Sequence, residues 1–211
     1  MDPVVYKEFE RIFTTLSAEE MPQVILEVGA VPTEDSLMRS SAFDNVARKI
    51  GINLDGPHQY KDIDIVKGNA NSMDCFEDHS FDLVLCNAML EHDPYFWKTI
   101  AEINRITKPG GTIVIGVPGF DILKNEAWNE KFKNVLRKWP FLQKIFTRKF
   151  LGMLFNSTAT FKLHNYPGDF YRYSPQAMEK VFFENLEVQE ITSVMVPPRL
   201  IGVAKKPMIA P

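Results

Sequence analysis

The chain is poor in cysteine: Cys75 and Cys86 are its only two in 211 residues, and they do not stand in C-x-x-C spacing. A disulfide framework is thereby excluded, and a reducing compartment is indicated. The four histidines, His58, His79, His92 and His164, lack metal-ligand spacing, and no acidic cluster suited to magnesium accompanies them, so no metal site is expected. No apolar run is long enough to cross a bilayer. The opening stretch, MDPVVYKEFERIF, is acidic and amphipathic where a secretory leader would be basic and then apolar, so the protein is expected in the cytoplasm. A net charge of −3 gives no global footprint for nucleic acid, and none is expected as a partner. The fingerprints G-x-G-x-x-G after the first strand, Tyr-x-x-x-Lys and the P-loop are all missing. Their absence argues against a nicotinamide-dependent oxidoreductase and against a P-loop protein.

What is present is an ordinary globular composition, 45% hydrophobic and 24% charged, in a length that suits one α/β domain over residues 1–211. The most legible part is 80–119, SFDLVLCNAMLEHDPYFWKTIAEINRITKPGGTIVIGVPG. Residues 81–86 form a short, nearly continuous apolar run, as in a parallel strand covered on both faces. Residues 94–106 have helical spacing, with Phe96, Trp97, Ile100, Ile103 and Ile106 near one face. Pro109-Gly110-Gly111 stops that helix, and 112–117 reads as a second strand, parallel to the first. The segment 87–92 then sits at the carboxyl end of a strand in an open sheet, where such sheets bind ligands.

Elsewhere, Tyr6, Phe9, Ile12, Phe13 and Leu16 recur at helical spacing. Strands are read at 24–28, 49–55 and 64–67, with a closing antiparallel pair at 186–192 and 199–204. Thr33 is a candidate N-cap for a helix over 34–48. The connection 56–64, GPHQYKDID, is too short and polar for a crossover helix and is read as a loop.

The order FDLVLCN, then LEH, an amphipathic helix, KPGG and a strand resembles the second half of a class I S-adenosylmethionine-dependent methyltransferase of the type 11 kind. The resemblance implies a three-layer Rossmann-like open α/β sheet, mostly parallel with an antiparallel last strand, in the order 3-2-1-4-5-7-6. It also implies S-adenosylmethionine as cofactor, with S-adenosylhomocysteine as product. By the same resemblance the cofactor is held by Glu27, Gly29 and Ala30 after the first strand, by Asn53 or Asp55 at the end of the second, by Asn69 and Ala70 after the third, and by Asn87 after the fourth. The glycine turn departs from the family. Glu27-Val28-Gly29-Ala30-Val31-Pro32-Thr33 has one glycine where three are usual; Val31 resists a positive φ, and Pro32 offers no N–H. Asparagine stands for an acid at 53 and at 69, and an amide both accepts and donates.

The stretch HNYPGDFYRYSP, 164–175, is similar to one that follows the fifth strand in a subset of that family. Tyr166, Asp169, Tyr171 and Arg172 are its candidate substrate-binding residues. An Asp169–Arg172 ion pair stitching the loop is the plainer alternative, and the two are compatible. His92 and His164 are candidate bases for a hydroxyl or amine acceptor, while His92 equally suits a structural role at the start of the next helix. An insertion at about 120–160 is read as a helical lid, and its stretch 131–149 holds seven basic residues and no acid, interleaved with apolar ones. A cap over the substrate pocket and a peripheral membrane or lipid contact through 131–155 both fit that pattern. The expected function is methyl transfer to a small-molecule oxygen or nitrogen acceptor; the alternative is a non-catalytic domain that binds a cofactor or partner on the same fold.

Overall fold

A computed structural model describes residues 2–120, 138, 168–195 and 198–208. Alternating apolar side chains along the strands feed two cores, one on each face of a single sheet. In β1 (Val24–Val28), Leu26 and Val28 serve one core and Ile25 the other, as the period of two requires. The same division runs through β5 (Phe81–Asn87), where Val84 and Cys86 oppose Leu83 and Leu85. Strands apolar on both sides mark a sheet covered on both faces.

The eight strands run in the order β3 (His58–Tyr60), β4 (Ile63–Lys67), β2 (Arg48–Asn53), β1, β5, β6 (Thr107–Pro118), β8 (Pro198–Lys205) and β7 (Glu187–Met195). The five central strands are parallel, and β8 runs antiparallel to both β6 and β7. Without its short edge strand this is the expected order 3-2-1-4-5-7-6. The edge strand itself differs from the reading of 56–64 as a loop. The chain folds back around Lys61, at φ 55°, and His58, Gln59 and Tyr60 pair antiparallel with Ile65, Asp64 and Ile63. Such a strand is held by backbone bonds at the rim, so it carries no hydrophobic alternation to announce it.

Helix α1 (Pro3–Glu19) covers one face. Asp2 caps it by accepting from the Val4 N–H at 2.9 Å, and Val5, Phe9, Ile12 and Phe13 join the core of Ile25, Leu83, Leu85 and Val114. The opposite face is covered by α2 (Phe96–Ile106), through Ile100, Ile103 and Ile106, and by α3 (Pro175–Ala177) with the π-helical turn Met178–Phe182 that follows it. Ser174 accepts from the Ala177 N–H at 3.1 Å, with Pro175 at the first helical position.

The helix expected over 34–48 is not formed; two 3₁₀ turns, Leu37–Arg39 and Ser41–Phe43, stand there. Thr33 Oγ1 accepts from the Asp35 N–H at 3.2 Å and Ser40 Oγ from the Ala42 N–H at 3.2 Å, so hydroxyls close tight turns in place of a continuous ladder. Leu37, Met38 and Phe43 are nonetheless fully buried against α1. The apolar residues are inside; the helical period is what fails. Among the described residues no helix is long and apolar enough to cross a membrane.

Candidate active site

The carboxyl ends of β1, β2, β4 and β5 surround a cleft of about 570 Å³. Its walls are Gly29 after β1, Ile52, Asn53 and Leu54 at the end of β2, the segment 68–71 after β4, and Ala88, Met89 and 92–95 after β5.

The turn after β1 is rebuilt around its single glycine. Gly29 sits at φ 81°, its N–H donates to the Ile52 carbonyl at 2.9 Å, and a Cβ there would lie 2.9 Å from Met89 Cγ. Val31 and Pro32 are exposed and do not enter the cleft, which stays open. Asn53 holds this turn. Its Nδ2 donates to the Ala30 carbonyl at 2.7 Å, and its Oδ1 accepts from the Asp55 N–H at 3.1 Å. A carboxylate cannot donate to a carbonyl, so this geometry accounts for the amide at a place where an acid is usual.

The wall after β4 is fixed to α2. Asn69 Oδ1 accepts from the Asn71 N–H at 2.9 Å, and Asn71 Nδ2 donates to Asp93 Oδ2 at 2.7 Å and to Thr99 Oγ1 at 2.8 Å. Asp93 Oδ1 accepts from the Tyr95 N–H at 2.8 Å, which ties the same carboxylate to the start of the helix. Glu102 accepts from the Met73 N–H at 2.6 Å; Arg105 beside it holds its carboxyl below the usual range, although burial opposes this. Nothing in the sequence pattern singled out Asn71 or Asp93. The Asp-Pro pair before a helical run was their one available signal.

Gly29, Asn53, Asn69, Ala70 and His92 line the cleft, whereas Glu27, Ala30, Asp55 and Asn87 do not. Glu27 is 5% exposed and accepts from the Ser36 hydroxyl and from the Leu37 N–H at 3.2 Å. Burial pushes its carboxyl up, against the pull of those bonds. Ala30 is buried in the core shared with α1. The Asp55 side chain is 92% exposed and lies 3.5 Å from His58 Nε2. Asn87 stands beside Gly116 and Phe9 on the α1 face, and its Oδ1 is buried with no hydrogen-bond partner among the described residues.

On the far side, His92 ends the 3₁₀ turn Leu90–His92, and the loop after residue 167 is stitched to that turn. The Phe170 N–H donates to the Glu91 carbonyl at 2.8 Å, the Tyr173 hydroxyl to the Leu90 carbonyl at 2.9 Å and the Tyr171 hydroxyl to the Pro94 carbonyl at 3.1 Å. Burial pushes the Tyr173 phenol well above its ordinary value. Arg172 grips Asp169 with both terminal nitrogens, Nη2 at 2.7 Å from Oδ2. The ion pair is therefore present, and the two tyrosines spend their hydroxyls on backbone. Phe96 packs on Tyr171 and Tyr173 with ring centroids 5.1 and 5.4 Å away. His164, Tyr166 and the insertion, except Phe120 and Lys138, lie outside the described residues. Among the described residues no group of three His, Cys, Asp or Glu could hold a metal.

Residues 38–115, which carry β2 to most of β6, match the family described as the methyltransferase domain. The chain has the α/β fold of the class I methyltransferases. The same fold is seen in the Burkholderia thailandensis 1,6-didemethyltoxoflavin-N1-methyltransferase, solved with 1,6-didemethyltoxoflavin and S-adenosylhomocysteine bound, at TM-score 0.58 and 15% identity over 94% of this chain and 78% of that one. It is seen again in the N-methyltransferase NodS from Bradyrhizobium japonicum, at TM-score 0.58 and 13% identity over 98% of each chain. In sequence, 91 residues are 37% identical to a demethylmenaquinone methyltransferase of Lactococcus lactis, covering 42% of this chain. The matched stretch spans 34% of that relative's length.

Proposed function

We propose that the protein transfers a methyl group from S-adenosylmethionine to a small-molecule oxygen or nitrogen acceptor. The observation that carries this reading is the open cleft at the tips of β1, β2, β4 and β5, where an α/β sheet binds its ligand. Its residues fit the cofactor. Gly29 and Gly68 present no side chain to it, and a Cβ on Gly68 would come within 2.7 Å of Ile52 Cδ1. Asn53 and Asn69 each keep an N–H and a lone pair beyond the bonds described above, enough to meet ribose hydroxyls and an adenine edge. Ala70, Met89 and Tyr95 supply apolar surface.

Bound there, the cofactor would supply a methyl group on a sulfonium, which an acceptor's lone pair could take with the carbon–sulfur electron pair left on sulfur. The chain's part is to align the two partners and exclude water. It also receives the proton that a hydroxyl or amine acceptor sheds. His92, on the cleft wall, is the first candidate for that role, with His164 the second. Asp169, Tyr171 and Arg172 shape the acceptor wall through the contacts they make with one another and with residues 90–94. A cytoplasmic setting belongs to this reading and is supported by two free thiols, Cys75 exposed and Cys86 buried.

The alternative, a domain that holds the cofactor without transfer, is favoured by one observation: Asn53 and Asn69 both turn a polar group onto their own backbone. The names of the relatives supply the first acceptors to try, demethylmenaquinone and 1,6-didemethyltoxoflavin. Incubation with methyl-labelled cofactor should move label to an acceptor in the wild type and far less in His92→Gln. Cofactor binding without label transfer to any acceptor supports the alternative.

A further inference from the structure

The end of β2 carries an amide whose orientation is fixed by its neighbours. The Ala30 carbonyl can only accept and the Asp55 N–H can only donate, so the atom 2.7 Å from the first is Nδ2 and the atom 3.1 Å from the second is Oδ1. Each bond takes half of its atom's capacity. One N–H and one lone pair of Asn53 are left over, on a side chain that lines the cleft. No carboxylate among the described residues is placed to take over. Asp55 turns its side chain to solvent beside His58, and Glu27 is committed to Ser36 and Leu37. Asp93 is the one carboxylate among the described residues that line the cleft, and its oxygens already accept from the Tyr95 N–H, Asn71 Nδ2 and the Thr99 hydroxyl.

We infer that Asn53 is a specificity-determining residue that reads the two ribose hydroxyls unequally: one donates to Oδ1, and the other accepts from the Nδ2 N–H. The inference rests on the reading of the cleft as an adenosyl site. A carboxylate in this position would accept from both hydroxyls and so would require a proton from each. The amide requires a proton from one alone, since a second donor would meet its N–H head on. Turning the amide over offers no escape, because Oδ1 would then face the Ala30 carbonyl and Nδ2 the Asp55 N–H. The chain therefore admits adenosyl ligands in which one particular ribose hydroxyl is replaced by a group that only accepts, and discriminates against the same replacement at the other. Both bonds join neutral groups, so each counts for about two- to tenfold in affinity.

The test is calorimetry of the full chain with S-adenosylhomocysteine and with its 2′-deoxy-2′-fluoro and 3′-deoxy-3′-fluoro analogues, in which fluorine accepts weakly and cannot donate. In the wild type one analogue should bind within about twofold of the parent and the other about three- to tenfold more weakly. In Asn53→Asp the difference between the analogues should collapse, with both weakened against the parent, because a carboxylate needs both protons. Should that variant not fold, a crystal structure of the wild type with S-adenosylhomocysteine carries the measurement: the bond from Nδ2 to the Ala30 carbonyl should persist, with one hydroxyl oxygen within hydrogen-bond reach of each amide atom. Equal affinities or equal losses for the two analogues in the wild type, a difference that persists in Asn53→Asp, or an amide that meets neither hydroxyl overturns the inference and leaves the cofactor reading standing. Failure of the wild type to bind S-adenosylhomocysteine is a separate result, which contradicts the cofactor reading and takes the inference with it.

Discussion

The Asn53 carboxamide donates to the Ala30 carbonyl at 2.7 Å while accepting from the Asp55 N–H at 3.1 Å, so the end of β2 holds the turn that follows β1. Asn53→Asp replaces the donor with a second acceptor facing a carbonyl. The loss should be about 1–3 kcal/mol in urea unfolding, the cost of an unmet buried polar group. S-adenosylhomocysteine binding should weaken along with it, even though an acid is the commoner residue at such a place.

Gly29 is the next pressure point. At φ 81° an alanine is strained by about 1–2 kcal/mol, and its Cβ meets Met89 Cγ at 2.9 Å. Met89→Ala in the same chain should relieve the contact and leave the backbone strain. Comparing the melting temperatures of the single and double variants separates the two contributions.

Acid should loosen the wall after β4. Arg105 depresses the Glu102 carboxyl in the folded chain, so the stability it contributes is present above the unfolded carboxylate value, about 4.3, and is lost as pH falls through the lower folded value. Glu102→Gln should therefore be less stable than the wild type at neutral pH by about 1 kcal/mol or less, since the pair is partly exposed. The difference should vanish in acid, as denaturant titrations at pH 7 and about pH 2 will read.

The Asp169–Arg172 pair is expected to act on the acceptor loop alone. Asp169, with a side chain 2% exposed, takes both guanidinium nitrogens, and Asp169→Ala should cost about 1.5–3 kcal/mol. Cofactor affinity should stay as in the wild type, because the pair does not line the cleft. Calorimetry beside urea unfolding checks both halves.

The central strands were legible because their apolar runs answer to two covered faces, as Leu26 and Ile25 do from adjacent positions in β1. The strand His58–Tyr60 was not, since backbone pairing at an edge leaves no hydrophobic trace. The helix expected over 34–48 failed through local chemistry: the Ser36 hydroxyl bonds the buried Glu27, and Thr33 and Ser40 close turns of their own. At the site, position along a strand was readable and side-chain direction was not. Gly29 and Asn53 reach the cleft, while Glu27 serves the turn on the α1 face and Asn87 lies against Phe9. Asp93 and Asn71 matter only through their contact across 22 residues, which no spacing announces.

Titrating the wild-type protein with S-adenosylhomocysteine in a calorimeter tests the central claim most directly. One equivalent should bind in the micromolar range and raise the melting temperature. No heat and no thermal shift at millimolar concentration would contradict the assignment of the cleft to an adenosyl cofactor.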